Sequence, residues 1–193
     1  DRSPSRGLGD VYKRQVLGMD ILVNINIAPT VKMGVNLSVD GKNRIDLQGG
    51  GELAYTMNTW GASRFPGRYN LTGGFVRYNP PIISEKLFKI QDGSYVSWNG
   101  DIADPQMSIT AVETVRTTIS EEEKNTRQVN FDISIIIKNS LENLSVSFDL
   151  SAPEDLTLQN QLTSLTAEQR ASQAMSLLIY CLLYTSPSPR DGL

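Results

Sequence analysis

The chain has 193 residues, with 18 basic and 21 acidic side chains and a formal net charge of −3. It contains no histidine and a single cysteine, so zinc sites, Ser-His-Asp and Cys-His hydrolases and disulfide scaffolds are disfavoured. The acidic balance argues against nucleic-acid binding, and 39% hydrophobic residues suffice for the core of one domain.

The two ends of the sequence differ from the rest. Residues 1–15 and 181–193 can be back-translated, over most of their length, as one stretch of DNA and its reverse complement. That DNA resembles a transposase-type sequencing adaptor, so we interpret both segments as adaptor-derived. Residues 16–180 are then the natural part, a piece of a longer protein. This interpretation removes Cys181, the single cysteine, and leaves open whether the parent protein has a signal peptide or a membrane anchor.

Apolar and polar residues alternate along much of residues 16–152, which is typical of β-strands with one buried face. In the first half, this alternation predicts strands at 21–27, 31–39, 45–55, 69–78, 87–90 and 95–98. Pro29 separates the first two strands, and Asp40-Gly41 favours a hairpin turn. Gly49-Gly50-Gly51 indicates a bulge or a close backbone approach, and residues 58–68 are predicted to be a loop.

The clearest strands are in the second half. A strand over 129–137 has an apolar residue at every second position, and 144–150 repeats the pattern after a turn at Asn139–Asn143. Burying five such side chains contributes on the order of 10 kcal/mol to folding. We predict that these strands form a hairpin, preceded by the polar connection Glu121–Lys124.

The pattern changes at Pro153, where a leucine-rich segment begins. Thr166 followed by Gln169 matches the capping box that begins a helix, and alanine, methionine and leucine then recur at helical spacing. We therefore divide the natural part into a β-rich region, 16–152, and a segment over 153–180 with one helix at 166–180 that caps or flanks the sheet.

No residue pattern in the natural part supports catalysis or a bound cofactor. The three glycines at 49–51 are followed by no Gly-Lys-Ser/Thr, so they do not form a phosphate loop. Asp92, Asp101 and Asp104 could supply oxygen ligands to calcium, although their Gly, Asn and Pro neighbours favour turns. The carboxylates at 121–123 have no apolar wall that would suit acid catalysis. We therefore predict a non-enzymatic protein with no metal and no cofactor.

The apolar strand faces leave two interpretations open. They can form the closed core of a β-sandwich, or they can line a groove that holds acyl chains or an unfolded apolar strand. The groove interpretation gains weight because only one predicted helix is available to cover long strands. The candidate lining residues are Val129, Phe131, Ile133, Ile135, Ile137, Val146 and Phe148.

An ordered set of short motifs lies between residues 67 and 111. A Gly-x-Tyr strand and a Phe-x-Ile strand come first, and a Gly-Ser pair, a Trp-x-Gly-Asp turn, an Asp-Pro pair and a strand ending in alanine follow. The motif residues after the second strand are Gly93, Ser94, Trp98, Gly100, Asp101, Asp104 and Pro105. This set resembles the C-terminal domain of the TamB family, the envelope proteins of the translocation and assembly module. The resemblance extends over nearly all of residues 16–180.

The resemblance implies an all-β fold, an extended and curved antiparallel sheet that forms an apolar groove and carries one short C-terminal helix. It implies a parent protein anchored in the inner membrane of Gram-negative bacteria, with this domain in the periplasm near the outer membrane. The implied partners are a TamA-like or another outer-membrane barrel assembly protein, and phospholipid. The implied role is outer-membrane protein assembly, phospholipid transport between the membranes, or both. The alternative function is a closed β-sandwich module for binding or adhesion.

Overall fold

The computed structural model describes residues 18–121 and 125–180 of the chain. Both segments that we interpret as adaptor-derived lie outside these ranges, so the division of the chain stays a prediction. The described elements are β1 (Ile21–Asn36), β2 (Arg44–Met57), β3 (Ser63–Tyr78), β4 (Lys86–Ile90), β5 (Tyr95–Gly100), β6 (Gln106–Glu121), β7 (Asn125–Ser140), β8 (Ser145–Ser151), α1 (Leu156–Thr163) and α2 (Ala167–Tyr180). The predicted all-β class with a small C-terminal helical part is confirmed.

The eight strands form a single antiparallel sheet in the order β1-β2-β3-β4-β6-β7-β8. β4 pairs with residues 75–78 of β3, and β5 pairs with residues 65–70 of the same strand. Both also pair with β6, so β4 and β5 act as one strand that residues 91–94 interrupt. Side chains at paired positions therefore lie on the same face of the sheet from one strand to the next.

The sheet is strongly curved. β3 and β8 are four positions apart, which corresponds to about 19 Å in a flat sheet. Yet the rings of Tyr78 on β3 and Phe148 on β8 have centroids only 5.6 Å apart, and Phe88 on β4 is 6.4 Å from Phe148. The two ends of this part of the sheet are thus brought toward each other, and one face of the sheet becomes concave.

A line of irregular pairing crosses the first three strands near their middles. The register shifts between Ile27 and Val31 on β1, and between Gln48 and Gly49 where β2 meets β3. A Cβ at Gly51 would overlap the carbonyl oxygen of Arg68, so this strand approaches β3 more closely than a side chain permits. The predicted bulge or close backbone approach at the three glycines is confirmed as a close approach, with the extra residues of the bulges on β1 and β3.

The close approach at the glycines lets β3 side chains reach the edge strand across β2. The Tyr69 hydroxyl donates a hydrogen bond to the Val31 carbonyl oxygen at 2.7 Å, and the Thr72 hydroxyl donates to the Pro29 carbonyl oxygen at 3.1 Å. Tyr69 is fully buried. The bond from Thr72 satisfies a carbonyl group in the segment of β1 that the bulge removes from the regular ladder.

The loop predicted at residues 58–68 was wrong, because β3 already begins at Ser63. Pro66 was one reason to predict a loop. In the structure, Pro66 pairs with Asn99 of β5 but has no partner on β2. The β2 register passes from Leu53–Gly67 directly to Thr56–Arg64. The missing N–H of proline therefore costs no ladder hydrogen bond there.

The number of helices was also wrong, since residues 125–180 form two helices where one was predicted. Asp155 caps α1 by accepting a hydrogen bond from the Leu158 backbone N–H at 3.0 Å. This helix buries only Leu162, so it has no apolar periodicity that sequence analysis could detect. The capping box of α2 is confirmed, because Thr166 and Gln169 exchange hydrogen bonds of 2.9 and 3.2 Å.

Candidate functional site

The concave face of the sheet is continuous and almost entirely apolar. Residues opposite each other in an antiparallel pair share a face, so the register traces the surface from strand to strand. One such path joins Val35, Ile45, Val76 and Phe88, and then continues from Ile90 through Ala111, Ile135 and Phe148. This surface, from β1 to β8, is the candidate functional site and is called the concave face below.

The candidate lining residues chosen from the sequence lie on the concave face, but they differ in access to solvent. The five on β7, between Val129 and Ile137, are at most 7% exposed. Phe148 on β8 is half-buried, whereas Val146 is 47% exposed. The alternation of apolar and polar residues therefore identified which side chains share a face, but not which of them solvent reaches. A lining role for these residues stays a prediction.

The two helices cover much of the β8 end of the concave face, where Val146 stays exposed. Ala174 and Leu178 of α2 are fully buried and belong to the same apolar cluster as the inward side chains of β2 to β8. Arg170 links α2 to β8 by an ion pair, since its Nε lies 2.7 Å from a carboxylate oxygen of Asp149. Leu162 of α1 joins the same cluster. The aliphatic side chains of β7 are thus sealed on the side of the helices.

The longest accessible stretch of the concave face is at the opposite end, on β1. This strand pairs only with β2 within the residues that the structure describes. Ile27 and Val35 on this strand are half-buried, but four other inward side chains remain more than one-third exposed. They are Val23, Ile25, Val31 and Met33. Sequence analysis did not select these residues, although they show the same alternation, because helix placement decides which end is open.

The motif residues shape the turns around the interrupted strand. Ser94 is buried, and its hydroxyl accepts a hydrogen bond from the Thr110 backbone N–H at 3.1 Å, which ties the interruption to β6. The Trp98 indole N–H donates to the Ile102 carbonyl oxygen at 3.1 Å, and its ring packs edge-on against Phe65. Trp98 therefore packs the turn after β5.

The aspartates considered as calcium ligands take part in turns instead. Asp101 accepts a hydrogen bond from the Ala103 backbone N–H at 2.8 Å, and Asp104 accepts one from Glu142 at 3.1 Å. Within 18–121 and 125–180, no three His, Cys, Asp or Glu side chains are grouped so that they could hold a metal ion. The predicted connection at Glu121–Lys124 lies outside the described residues, except that Glu121 ends β6.

A comparison with protein-family models decides which family this architecture represents. The model of the TamB C-terminal domain matches residues 10–180, which include every described strand and helix. The chain belongs to the TamB family. No curated protein and no solved structure matches the chain. The match begins inside the first adaptor-like segment, so the boundary at residue 15 stays a prediction.

TamB membership supports an envelope function in Gram-negative bacteria, in a family whose members are assembly or transport components and not enzymes. In the described part of this TamB domain, no helix has both the length and the apolar character needed to span a membrane. The concave face, with the few polar groups on it, is the candidate functional surface of this domain.

One ion pair interrupts the apolar surface of the TamB domain. Glu113 on β6 lies opposite Ile133, and Lys86 on β4 lies two residues from the buried Phe88. The Lys86 Nζ is 3.7 Å from one carboxylate oxygen of Glu113, and the two side chains are 20% and 23% exposed. The other oxygen is buried with no hydrogen-bond partner. Burial raises the pKa of Glu113, and the nearby Lys86 ammonium opposes this shift. A glutamate at an inward position of β6 was the sequence signal for this pair.

Replacing Lys86 with methionine is expected to lower the free energy of unfolding by about 1–3 kcal/mol at neutral pH, because a charged Glu113 then has no counter-charge. Since burial raises the folded-state pKa of Glu113 above its unfolded value, protonation favours the folded state. The loss of stability caused by Lys86→Met should therefore become smaller as the pH falls through the folded-state pKa of Glu113 in the variant. Urea unfolding at several pH values measures this dependence.

The control for this prediction is Lys89→Met, which removes an exposed lysine from the opposite face of β4. It should change stability little at any pH. A Lys86→Met loss that is the same at every pH would contradict the role of Glu113.

Proposed function

We propose that this TamB domain is part of a non-enzymatic envelope protein that helps to assemble outer-membrane proteins, conducts phospholipid between the membranes, or does both. The observation that carries the proposal is the concave face, which is apolar from β1 to β8 and open at β1. Sheltering an acyl chain from water is worth about 0.8 kcal/mol for each methylene group. A continuous apolar surface provides this shelter and needs no catalytic group.

The open end of the sheet also suits a protein partner. β1 is 16 residues long and has a free edge in the described part of the chain, where an incoming strand could pair by β-augmentation. We propose a TamA-like or another outer-membrane barrel assembly protein as this partner, with the domain in the periplasm near the outer membrane. The inner-membrane anchor would belong to a part of the parent protein outside this chain.

A closed binding or adhesion module is the second candidate function. The sealed β7 side chains favour it, because buried aliphatic residues are typical of an ordinary core. A β-sandwich, however, has two stacked sheets, whereas the described strands form one curved sheet. The candidates differ in a measurable respect, since only a conduit should hold lipid against β1.

Photo-crosslinking tests the proposed function. A photoreactive amino acid at Ile25, on the open part of the concave face, is expected to label phospholipid when the full chain is produced in a Gram-negative host. The same group at Asn26, exposed on the opposite face of β1, is the matched control and should give little lipid labelling. Mass spectrometry identifies the adducts. If Ile25 labels only protein, the conduit proposal is wrong and the closed module is favoured.

A further inference from the structure

The ion pair between Lys86 and Glu113 is poorly satisfied for a pair that interrupts an apolar surface. Charge-assisted hydrogen bonds between ammonium and carboxylate groups are typically about 2.7–2.9 Å long. The Lys86 Nζ instead lies 3.7 Å from Glu113, and the second carboxylate oxygen has no donor. An ammonium group carries three donors, so Lys86 also retains unused capacity. The two side chains keep 20% and 23% of their surface exposed, so the pair could accept a further polar ligand.

The surroundings of the pair restrict what that ligand can be. Lys86 lies opposite Tyr78 in the register, and the rings of Tyr78 and Phe88 both pack against Phe148. Arg127 on β7 is a further charged side chain on the concave face, and it pairs with Asp155 beside α1. Lys86 and Glu113 therefore place a positive and a negative charge next to a group of aromatic side chains.

Charge complementarity then selects the class of ligand. A simple anion would be attracted by Lys86 and repelled by Glu113, and a simple cation would experience the reverse. A zwitterion with its own ammonium and phosphate can pair with both groups at once. An ammonium that carries N–H donors would also provide the hydrogen bonds that the Glu113 carboxylate lacks.

We propose that Lys86 and Glu113 form a headgroup site for a zwitterionic phospholipid with a primary ammonium group, of the phosphoethanolamine type. Glu113 accepts hydrogen bonds from the ligand ammonium, and Lys86 pairs with the ligand phosphate. The aromatic side chains beside the pair contact the adjoining apolar part of the lipid. This inference rests on the proposed function, since it specifies which lipid the concave face holds.

Calorimetric titration of the full chain with dihexanoyl phospholipids, below their micelle concentrations, tests the site. Phosphoethanolamine lipid is expected to bind about tenfold more tightly than phosphoglycerol lipid, whose headgroup offers no cation to Glu113. Phosphocholine lipid should fall between them, because its quaternary ammonium is charged but has no N–H donor. Equal affinity for the three lipids would overturn the inference while leaving the conduit proposal standing. Binding of none of them would overturn both.

Two variants assign the preference to the pair. Lys86→Met combined with Glu113→Leu should bind the three lipids with similar affinity, and its folding should persist because apolar replacement of both partners of a buried pair is often neutral or stabilising. The reversed pair, K86E with E113K, keeps both charges and should keep a preference for the zwitterion.

The matched control for these variants removes an ion pair from the convex face. Arg77 and Asp46 lie 2.9 Å apart there, and Arg77→Met with Asp46→Leu should leave the order of affinities unchanged. An unchanged preference in the Lys86 and Glu113 double variant would place the headgroup elsewhere and overturn the inference.

Discussion

Replacing Gly51 with alanine is expected to lower the free energy of unfolding by about 3 kcal/mol or more, a large effect for one added methyl group. A Cβ at this position would overlap the Arg68 carbonyl oxygen and press on Tyr69. Both neighbouring groups are backbone, so no flexible side chain can move aside. β2 and β3 would have to separate, and the hydrogen bond from Tyr69 to β1 would be strained.

Gly73→Ala is the matched control for the Gly51 prediction. Gly73 lies on the neighbouring strand β3, and a Cβ there would meet no atom within 4 Å. We expect a change of at most about 0.5 kcal/mol, since surface substitutions away from special features usually have small effects. Urea unfolding followed by circular dichroism measures both variants. A similar loss of stability in the two would show that the close approach of β2 and β3 is not what requires glycine.

Phe88→Ala is expected to lower the free energy of unfolding by about 3–5 kcal/mol, because it leaves a large cavity in the concave face. Phe88 is fully buried and its ring lies 6.4 Å from that of Phe148. The contact between β4 and β8 helps to keep the sheet curved. Amide hydrogen exchange in β8 should therefore rise together with the loss of global stability.

The neighbouring residue provides the control for Phe88. Leu87 is 46% exposed on the opposite face of β4, so Leu87→Ala should cost less than about 1 kcal/mol and leave exchange in β8 unchanged. If both alanine variants accelerated exchange in β8 equally, curvature would not depend on the aromatic contact.

The strands in which apolar and polar residues alternate strictly were predictable from sequence, because successive side chains on a strand point to opposite faces of the sheet. The hairpin predicted at 129–137 and 144–150 is confirmed as β7 and β8, although β7 extends to Ser140 and includes Asn139, which has a φ of 73°. β6 was predicted only as a strand ending at Ala111, whereas it continues to Glu121. Glu113 occupies an inward position there and weakens the apolar pattern.

The accessibility of the site was not predictable in the same way. Periodicity placed Ile133 and Ile135 on one face, but their burial depends on distant strands and on a helix that begins more than thirty residues later. The polar pair on the concave face joins residues from β4 and β6, and no local pattern reports such a contact. Long-range packing therefore decides which part of an alternating surface a ligand can reach.

The interruption of β1 has a further consequence, for self-association of the domain. A long free edge strand is a template on which other chains can pair and aggregate. Pro29 has no N–H to offer such a chain, and the carbonyl groups of Pro29 and Val31 are already engaged by Thr72 and Tyr69. An incoming strand would lose its register at this point. The bulge that shapes the sheet thus also limits uncontrolled edge-to-edge pairing, and leaves two shorter segments on which a specific partner can dock.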